Sequence, residues 1–95
     1  MNTNSPLIDY VKLSPNCNKR KKKIDTITIH CVVGQLSVET IGNIFAKESR
    51  KASCNYAIGL DGRIALIVEE KNASWCTSSS PNDQRAITIE VASDT

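Results

Sequence analysis

Two segments rich in β-branched residues place the strongest constraint on how this chain can fold. Residues 24–33 read IDTITIHCVV, and residues 86–91 read AITIEV. Alternate residues of an extended strand point to opposite faces, so each segment carries an apolar row on one face. The other face carries threonine and one ionisable group, His30 or Glu90, near the C-terminal end of the strand. The sequence therefore predicts two strands that each present one reactive side chain.

A helix and a hairpin are predicted between these strands. Ser37 is a candidate N-cap for an amphipathic helix from Val38 to Ser49. Asp61-Gly62 then joins two β-prone runs, residues 55–59 and 63–68, as expected of a hairpin turn. The order strand, helix, hairpin, strand predicts an α/β domain with a mixed β-sheet and flanking helices.

The length of the chain limits both its organisation and its chemistry. A chain of 95 residues forms one domain at most. We divide it into a lead-in with a basic loop, residues 1–23, and a domain over residues 24–95. An apolar patch in residues 7–13 is expected to pack back onto the domain, and residues 16–23 and 78–83 are predicted to be loops. The chain has one histidine, so a single copy cannot build a site on two imidazoles.

No segment indicates a membrane span or an export signal. No apolar run approaches the ~18 residues that cross a bilayer, and the N-terminus lacks the basic start and apolar stretch of a secretory signal. The four cysteines, which form no C-x-x-C pair, could make two disulfides, but synthesis in the cytoplasm without export favours reduced thiols. Cys31 and Cys54 have apolar or small neighbours and are expected to fill the core.

Five of the 12 basic residues form one run, Lys19–Lys23. Such a run is typical of a solvated loop. It could also attract a polyanion such as nucleic acid, an anionic membrane or a bacterial wall polymer. No aromatic residue lies within the run, which weakens the case for single-stranded nucleic acid. No nucleic-acid partner is expected.

Four segments, in order along the chain, resemble one enzyme family. They are ITIHC at 27–31, SCNYAIGLDGRI at 53–64, ASWC at 73–76 and AITIE at 86–90. Together they resemble the type-2 N-acetylmuramoyl-L-alanine amidases, the zinc amidases of phage endolysins and bacterial autolysins, which are similar in fold to peptidoglycan recognition proteins. The resemblance implies hydrolysis of the amide between N-acetylmuramic acid and the L-alanine of the stem peptide.

The resemblance also implies roles for four residues. His30 matches the first zinc ligand, and Glu90 matches the acidic residue that helps to activate water. Tyr56 matches a tyrosine that faces the scissile carbonyl, and Trp75 matches an aromatic wall near the substrate groove. Without the resemblance, Tyr56 is interpreted as a core residue of the hairpin and Trp75 as a capping aromatic. Cys31 is not assigned to the metal, because adjacent strand residues point to opposite faces.

The resemblance is incomplete at the metal. It implies three protein ligands, of which a second histidine and then a cysteine or aspartate would follow the glutamate strand, whereas this sequence ends at Thr95 with one histidine. The sequence therefore predicts the N-terminal part of an amidase domain, with weak zinc binding and little activity alone. An apolar sheet face that later helices would cover is expected to be exposed and to favour self-association.

Two other function classes remain open. A non-catalytic peptidoglycan-binding module is the alternative, because the fold family includes pure recognition proteins.

For the amidase, the resemblance implies action at the cell wall, and the lack of an export signal fits release through a phage holin. A nucleic-acid binder acting through Lys19–Lys23 is the third class, and it predicts binding with a steep dependence on salt.

Overall fold

The computed structural model describes residues 4–93, without the side chain of Val33. Its strands are β1 (Tyr10–Val11), β2 (Cys17–Lys19), β3 (Thr26–Val33), β4 (Tyr56–Ile58), β5 (Ile64–Leu66), β6 (Asn72–Ser74) and β7 (Ala86–Ser93). Its helices are α1 (Val38–Ala46) and α2 (Ser80–Arg85), and Glu48–Arg50 form a 3-10 turn. Neither α-helix in this part of the chain is long and apolar enough to cross a lipid bilayer.

Five strands form one mixed sheet in the order β1-β5-β4-β7-β3. β7 lies between β3 and β4 and runs parallel to both, whereas β4 and β5 pair antiparallel as the predicted hairpin. Gly62 in the hairpin turn has a φ of 86°, a left-handed conformation that glycine adopts readily. β2 and β6 form a separate antiparallel ribbon. The predicted α/β fold with a mixed sheet is confirmed.

Helix α1 begins where the sequence predicted and ends before Ser49. The Ser37 hydroxyl accepts the backbone N–H of Thr40 at 3.2 Å, as expected of an N-cap. At Lys47 the backbone leaves the helical conformation, and the separate 3-10 turn follows. A Cβ at Gly42 would lie 2.9 Å from the Cβ of Lys12. Glycine at this position therefore lets the segment that follows β1 cross α1 closely.

The hydrophobic core lies between α1 and one face of the sheet. The buried apolar residues of α1 are Val38, Ile41 and Phe45. They belong to one cluster with small side chains of the sheet, namely Ala57, Ala65 and Ala92. Aliphatic and small residues therefore make most of this core, in agreement with an aromatic content of 4%.

The N-terminal segment contains two strands that the sequence did not predict. β1 pairs with β5 at the edge of the main sheet, and β2 forms inside residues 16–23, so the loop prediction there was wrong. Of the apolar patch in residues 7–13, Tyr10 packs against the core, whereas Leu7 and Leu13 are exposed. The division of the chain into residues 1–23 and 24–95 stays a prediction.

Arg20, inside the basic run, is held by backbone carbonyls rather than by solvent. Its three side-chain nitrogens donate at 2.7–3.3 Å to the carbonyl oxygens of Glu70, Asn72, Asp83, Gln84 and Ala86. These bonds use all five guanidinium N–H groups, a pattern that lysine cannot reproduce. One member of the run therefore joins the residues after β2 to the β6–α2–β7 region.

Alternation along the strands gives the sheet two different faces. Thr88 and Ala92 of β7 are buried on the side that α1 covers, which we call the closed face. Ile27, Ile29 and Cys31 of β3 point to the other side, which we call the open face. Ile27 and Ile29 are 69% and 65% exposed, and Cys31 is also exposed. The prediction that Cys31 fills the core was therefore wrong, because β3 turns this row away from α1.

Candidate metal and catalytic centre

His30 and Glu90 meet across two adjacent parallel strands. β3 and β7 pair in register over their whole length, which sets His30 directly beside Glu90. His30 Nδ1 lies 3.6 Å from Glu90 Oε1. Both residues lie near the middle of eight-residue strands rather than near the predicted C-terminal ends. The two reactive side chains that the strand pattern predicted are therefore brought together.

Cys76 completes a triangle with this pair. Its Sγ lies 3.8 Å from His30 Nδ1 and 3.5 Å from Glu90 Oε1. A nitrogen, a sulfur and an oxygen atom thus lie within 4.8 Å of one another. Sequence reasoning missed Cys76, because this residue follows β6 in an irregular segment and its spacing to His30 and Glu90 matches no metal motif.

A buried aspartate holds Cys76 in place. The carboxylate of Asp83 in α2 accepts the backbone N–H of Cys76 at 3.2 Å, and it accepts both the N–H and the hydroxyl of Thr77. Ser79 caps α2, and Pro81 lies in its first turn. The loop prediction for residues 78–83 was therefore wrong. Ser79 followed by Pro81 is the sequence signal that could have revealed this helix.

The surroundings of Cys76 disfavour its ionisation. Burial is the largest cause, the charge of Glu90 adds to it, and together they raise the pKa of the Cys76 thiol to about 12. Burial likewise raises the pKa of Cys54, which lies in the core, well above its ordinary value. A nucleophilic cysteine requires a lowered pKa instead. Burial and the charge of Glu90 therefore act against a nucleophilic role for Cys76.

The contacts also disagree with a cysteine–histidine–carboxylate triad. In such a triad one ring nitrogen of the histidine faces the nucleophile and the other faces the carboxylate. Here Cys76 and Glu90 both face Nδ1 of His30. One nitrogen cannot accept a proton from the thiol and donate one to the carboxylate at the same time. The arrangement suits three ligands around one central ion better.

The three donor atoms fit the zinc ion that the resemblance implies. Tetrahedral bonds of about 2.0–2.3 Å place neighbouring N, O and S ligand atoms roughly 3.3–3.6 Å apart. The separations here are 3.5, 3.6 and 3.8 Å. The side chain of His30 is 41% exposed and that of Glu90 is 11% exposed, so the triangle is accessible from solvent at His30. Such access is required of a site with an open coordination position.

Comparisons with known proteins identify the family and the fold of this chain. A family model described as N-acetylmuramoyl-L-alanine amidase matches residues 20–95. The chain belongs to the N-acetylmuramoyl-L-alanine amidase family. A solved structure of a PlyL mutant matches this amidase-family chain with a TM-score of 0.70 and 16% sequence identity, which shows a shared fold. The match covers 87% of this chain and 57% of the PlyL chain. No curated protein sequence matches the chain.

Tyr56 of this amidase-family chain lies apart from the triangle. Register places Tyr56 beside Ile89, one residue before Glu90, so its ring belongs to the opposite face of the sheet. Its hydroxyl accepts the N–H of Ser5 at 2.8 Å and donates to the carboxylate of Glu70. Burial, followed by the hydrogen bond to Glu70, raises the pKa of Tyr56 to about 12. The structure does not bring Tyr56 to the centre, and its catalytic role stays a prediction.

Trp75 lines a cavity beside the centre. The cavity has a volume of about 270 Å³, and its wall includes Asn18, Lys51 and Gln84 but neither His30 nor Glu90. The indole Nε1 donates to Asn18 Oδ1 at 2.5 Å, which orients the ring. Trp75 precedes Cys76 directly, so the cavity and the triangle adjoin each other. The predicted aromatic wall is compatible with this position, and its contact with substrate stays a prediction.

Proposed function

We propose that the centre at His30 and Glu90 serves the zinc-dependent hydrolysis of the amide between N-acetylmuramic acid and the L-alanine of the stem peptide. The observation that carries this proposal is the register of β3 and β7, which sets an imidazole 3.6 Å from a carboxylate. The family match over residues 20–95 supports peptidoglycan as the substrate class. The protein would act at the cell wall after release by a holin-type route.

The two residues have different tasks in this reaction. His30 offers a ring nitrogen as a zinc ligand. A bound Zn²⁺ would polarise the scissile carbonyl and acidify the attacking water. Glu90 accepts the proton of the water and returns it to the leaving amine, as a general acid–base residue does. The Glu90 side chain is mostly buried, and its carboxylate lies beside His30 rather than in bulk water.

Activity of these 95 residues alone is expected to be low. The resemblance implies a second histidine among the zinc ligands, and this sequence contains one histidine. The chain also spans 57% of the length of the PlyL chain that it matches.

Release of dye from labelled cell walls, with and without added Zn²⁺, tests the proposal. We expect weak, zinc-dependent release that is lost in Glu90→Gln and in His30→Ala. Glu48→Gln is the matched control. Glu48 is an exposed glutamate of the 3-10 turn, and it is distant from His30 and Glu90 in the sequence. Release that persists at the wild-type rate in Glu90→Gln would contradict the assignment of the proton-transfer role.

A non-catalytic peptidoglycan-binding module is the second candidate. The cavity at Trp75 favours it, since that cavity forms without His30 or Glu90. A pull-down with insoluble cell walls distinguishes the two functions. Retention of the protein on the walls that is lost in Trp75→Ala would support binding. Leu13→Ala, which changes an exposed apolar residue, is the control and should keep retention. Dye release by the same preparation would support catalysis.

A further inference from the structure

We propose that Cys76 is a metal ligand and that this chain binds one Zn²⁺ through His30 Nδ1, Cys76 Sγ and Glu90 Oε1. The proposal stands on the geometry of the cluster and holds whether or not the chain hydrolyses peptidoglycan. The resemblance assigns Cys76 no role. The sequence alone counts His30 as the single ligand and predicts weak zinc binding, whereas the cluster supplies two further donors.

The shape of the cluster is the first argument. The three donor atoms form a nearly equilateral triangle with edges of 3.5, 3.6 and 3.8 Å. These edges lie within a few tenths of an ångström of the N–O, N–S and O–S separations around tetrahedral zinc. The donor atoms therefore need to shift by only a few tenths of an ångström to surround one ion.

The charges of the three groups are the second argument. When zinc binds, the S–H bond of Cys76 breaks, the sulfur bonds to the ion, and the proton passes to bulk water. The thiolate and the Glu90 carboxylate then balance the two positive charges of the ion.

The anchoring of the ligands is the third argument. His30 and Glu90 lie on strands paired in full register. Cys76 is held by the bond from its backbone N–H to the buried Asp83 carboxylate. The donors are therefore positioned before the ion arrives, which lowers the entropic cost of binding. Coordination through Oε1 alone leaves Oε2 of Glu90 able to accept a proton, so this ligand role is compatible with the proposed hydrolysis.

The other cysteines provide the controls. Cys31 is adjacent to His30 in sequence, but strand alternation turns its side chain to the open face. Cys31 is exposed, so its replacement by serine tests adventitious binding by a surface thiol. Cys54 is completely buried in the core cluster and makes a less suitable control.

Titration of the full chain with Co²⁺, in a reductant without thiols, tests the proposal by spectroscopy. A sulfur-to-cobalt charge-transfer band and visible bands of tetrahedral cobalt report thiolate coordination directly. We expect both in the wild type and in Cys31→Ser, at one ion per chain and displaced by Zn²⁺. In Cys76→Ser the charge-transfer band disappears and zinc affinity falls by at least about 100-fold, since even outer partners of ligands change affinity by 10–100-fold.

Three results would overturn the proposal: a charge-transfer band that survives in Cys76→Ser, a band that vanishes in Cys31→Ser, or no stoichiometric binding by the wild type. If Cys76→Ser fails to fold by circular dichroism, NMR of the wild type decides. On adding zinc, the Cβ signal of Cys76 must shift as expected of a metal-bound thiolate, whereas the Cβ signals of Cys31 and Cys54 must not. Wall release separates this proposal from the proposed function. A cobalt–thiolate band without dye release would support the metal site and contradict the proposed hydrolysis. Dye release together with unchanged zinc affinity in Cys76→Ser would support the hydrolysis and contradict the metal site.

Discussion

The closed and open faces of the sheet are formed by the same strands. Their burial is the reverse of the usual arrangement, in which apolar side chains are covered and polar side chains face solvent. On β3 and β7 the polar row, which includes His30 and Glu90, lies on the face that α1 covers, whereas the isoleucine row of β3 faces solvent. Thr88 is fully buried while Ile27 is 69% exposed. An apolar row therefore shows that a strand has two chemically different faces, but it does not show which face the rest of the chain covers. Here the covered face carries the candidate site.

Thiol labelling should give the largest contrast between the faces. Cys31 is exposed on the open face, and Cys54 is fully buried with a raised pKa. We expect a water-soluble thiol reagent to modify Cys31 at least about 1000-fold faster than Cys54, because access to Cys54 requires unfolding that costs at least about 5 kcal/mol. Peptide mapping by mass spectrometry gives both rates in one sample. Comparable rates would mean that the closed face opens readily.

Matched isoleucine truncations should show the next largest difference. Ile41 of α1 is 1% exposed and packs on the closed face. Ile41→Ala should lower the free energy of unfolding by about 2–5 kcal/mol through lost burial and the cavity it leaves. Ile27→Ala, on the open face, should change it by less than about 0.5 kcal/mol. Urea unfolding measures both values. An equal loss at Ile27 would show that the open face is covered in solution.

The buried polar groups of the closed face should have an intermediate effect. The Thr88 hydroxyl bonds Ser74 Oγ at 2.6 Å and accepts the backbone N–H of Asn55 at 3.0 Å. Thr88→Val should therefore cost about 1–3 kcal/mol, because it leaves buried partners unsatisfied. Thr28→Val is the matched control, since the half-buried Thr28 hydroxyl accepts one bond, from Asn82. A smaller loss at Thr88 than at Thr28 would argue against this network.

The elements that could be predicted from the sequence are those whose pattern is local. β3, α1, the β4–β5 hairpin and β7 each carry their own periodicity or turn signal, and the strand pattern also set His30 and Glu90 on equivalent faces. β2 and β6 are three residues each, too short to carry a periodic pattern, and they pair across a long stretch of sequence. The contacts of Cys76 reach 46 residues back to His30 and 14 forward to Glu90. Such long-range contacts leave no local signal, which is why the third donor was missed.

The double variant Ile27→Lys and Ile29→Lys should have the smallest effect on stability. It also tests directly whether the open face is a contact surface. Both side chains are already mostly exposed, so each charge should alter the free energy of unfolding by less than about 0.5 kcal/mol. We nevertheless expect a change in association. Within residues 4–93, β3 ends the sheet order, and its outer edge pairs with no other strand and lies next to an apolar row. Sedimentation velocity should show concentration-dependent association of the wild type that the double variant loses. Leu60→Lys, another exposed apolar position, should leave association unchanged. If the wild-type chain stays monomeric at high concentration, the exposed isoleucines are tolerated without a partner. If association survives the two lysines, the contact lies elsewhere on the molecule.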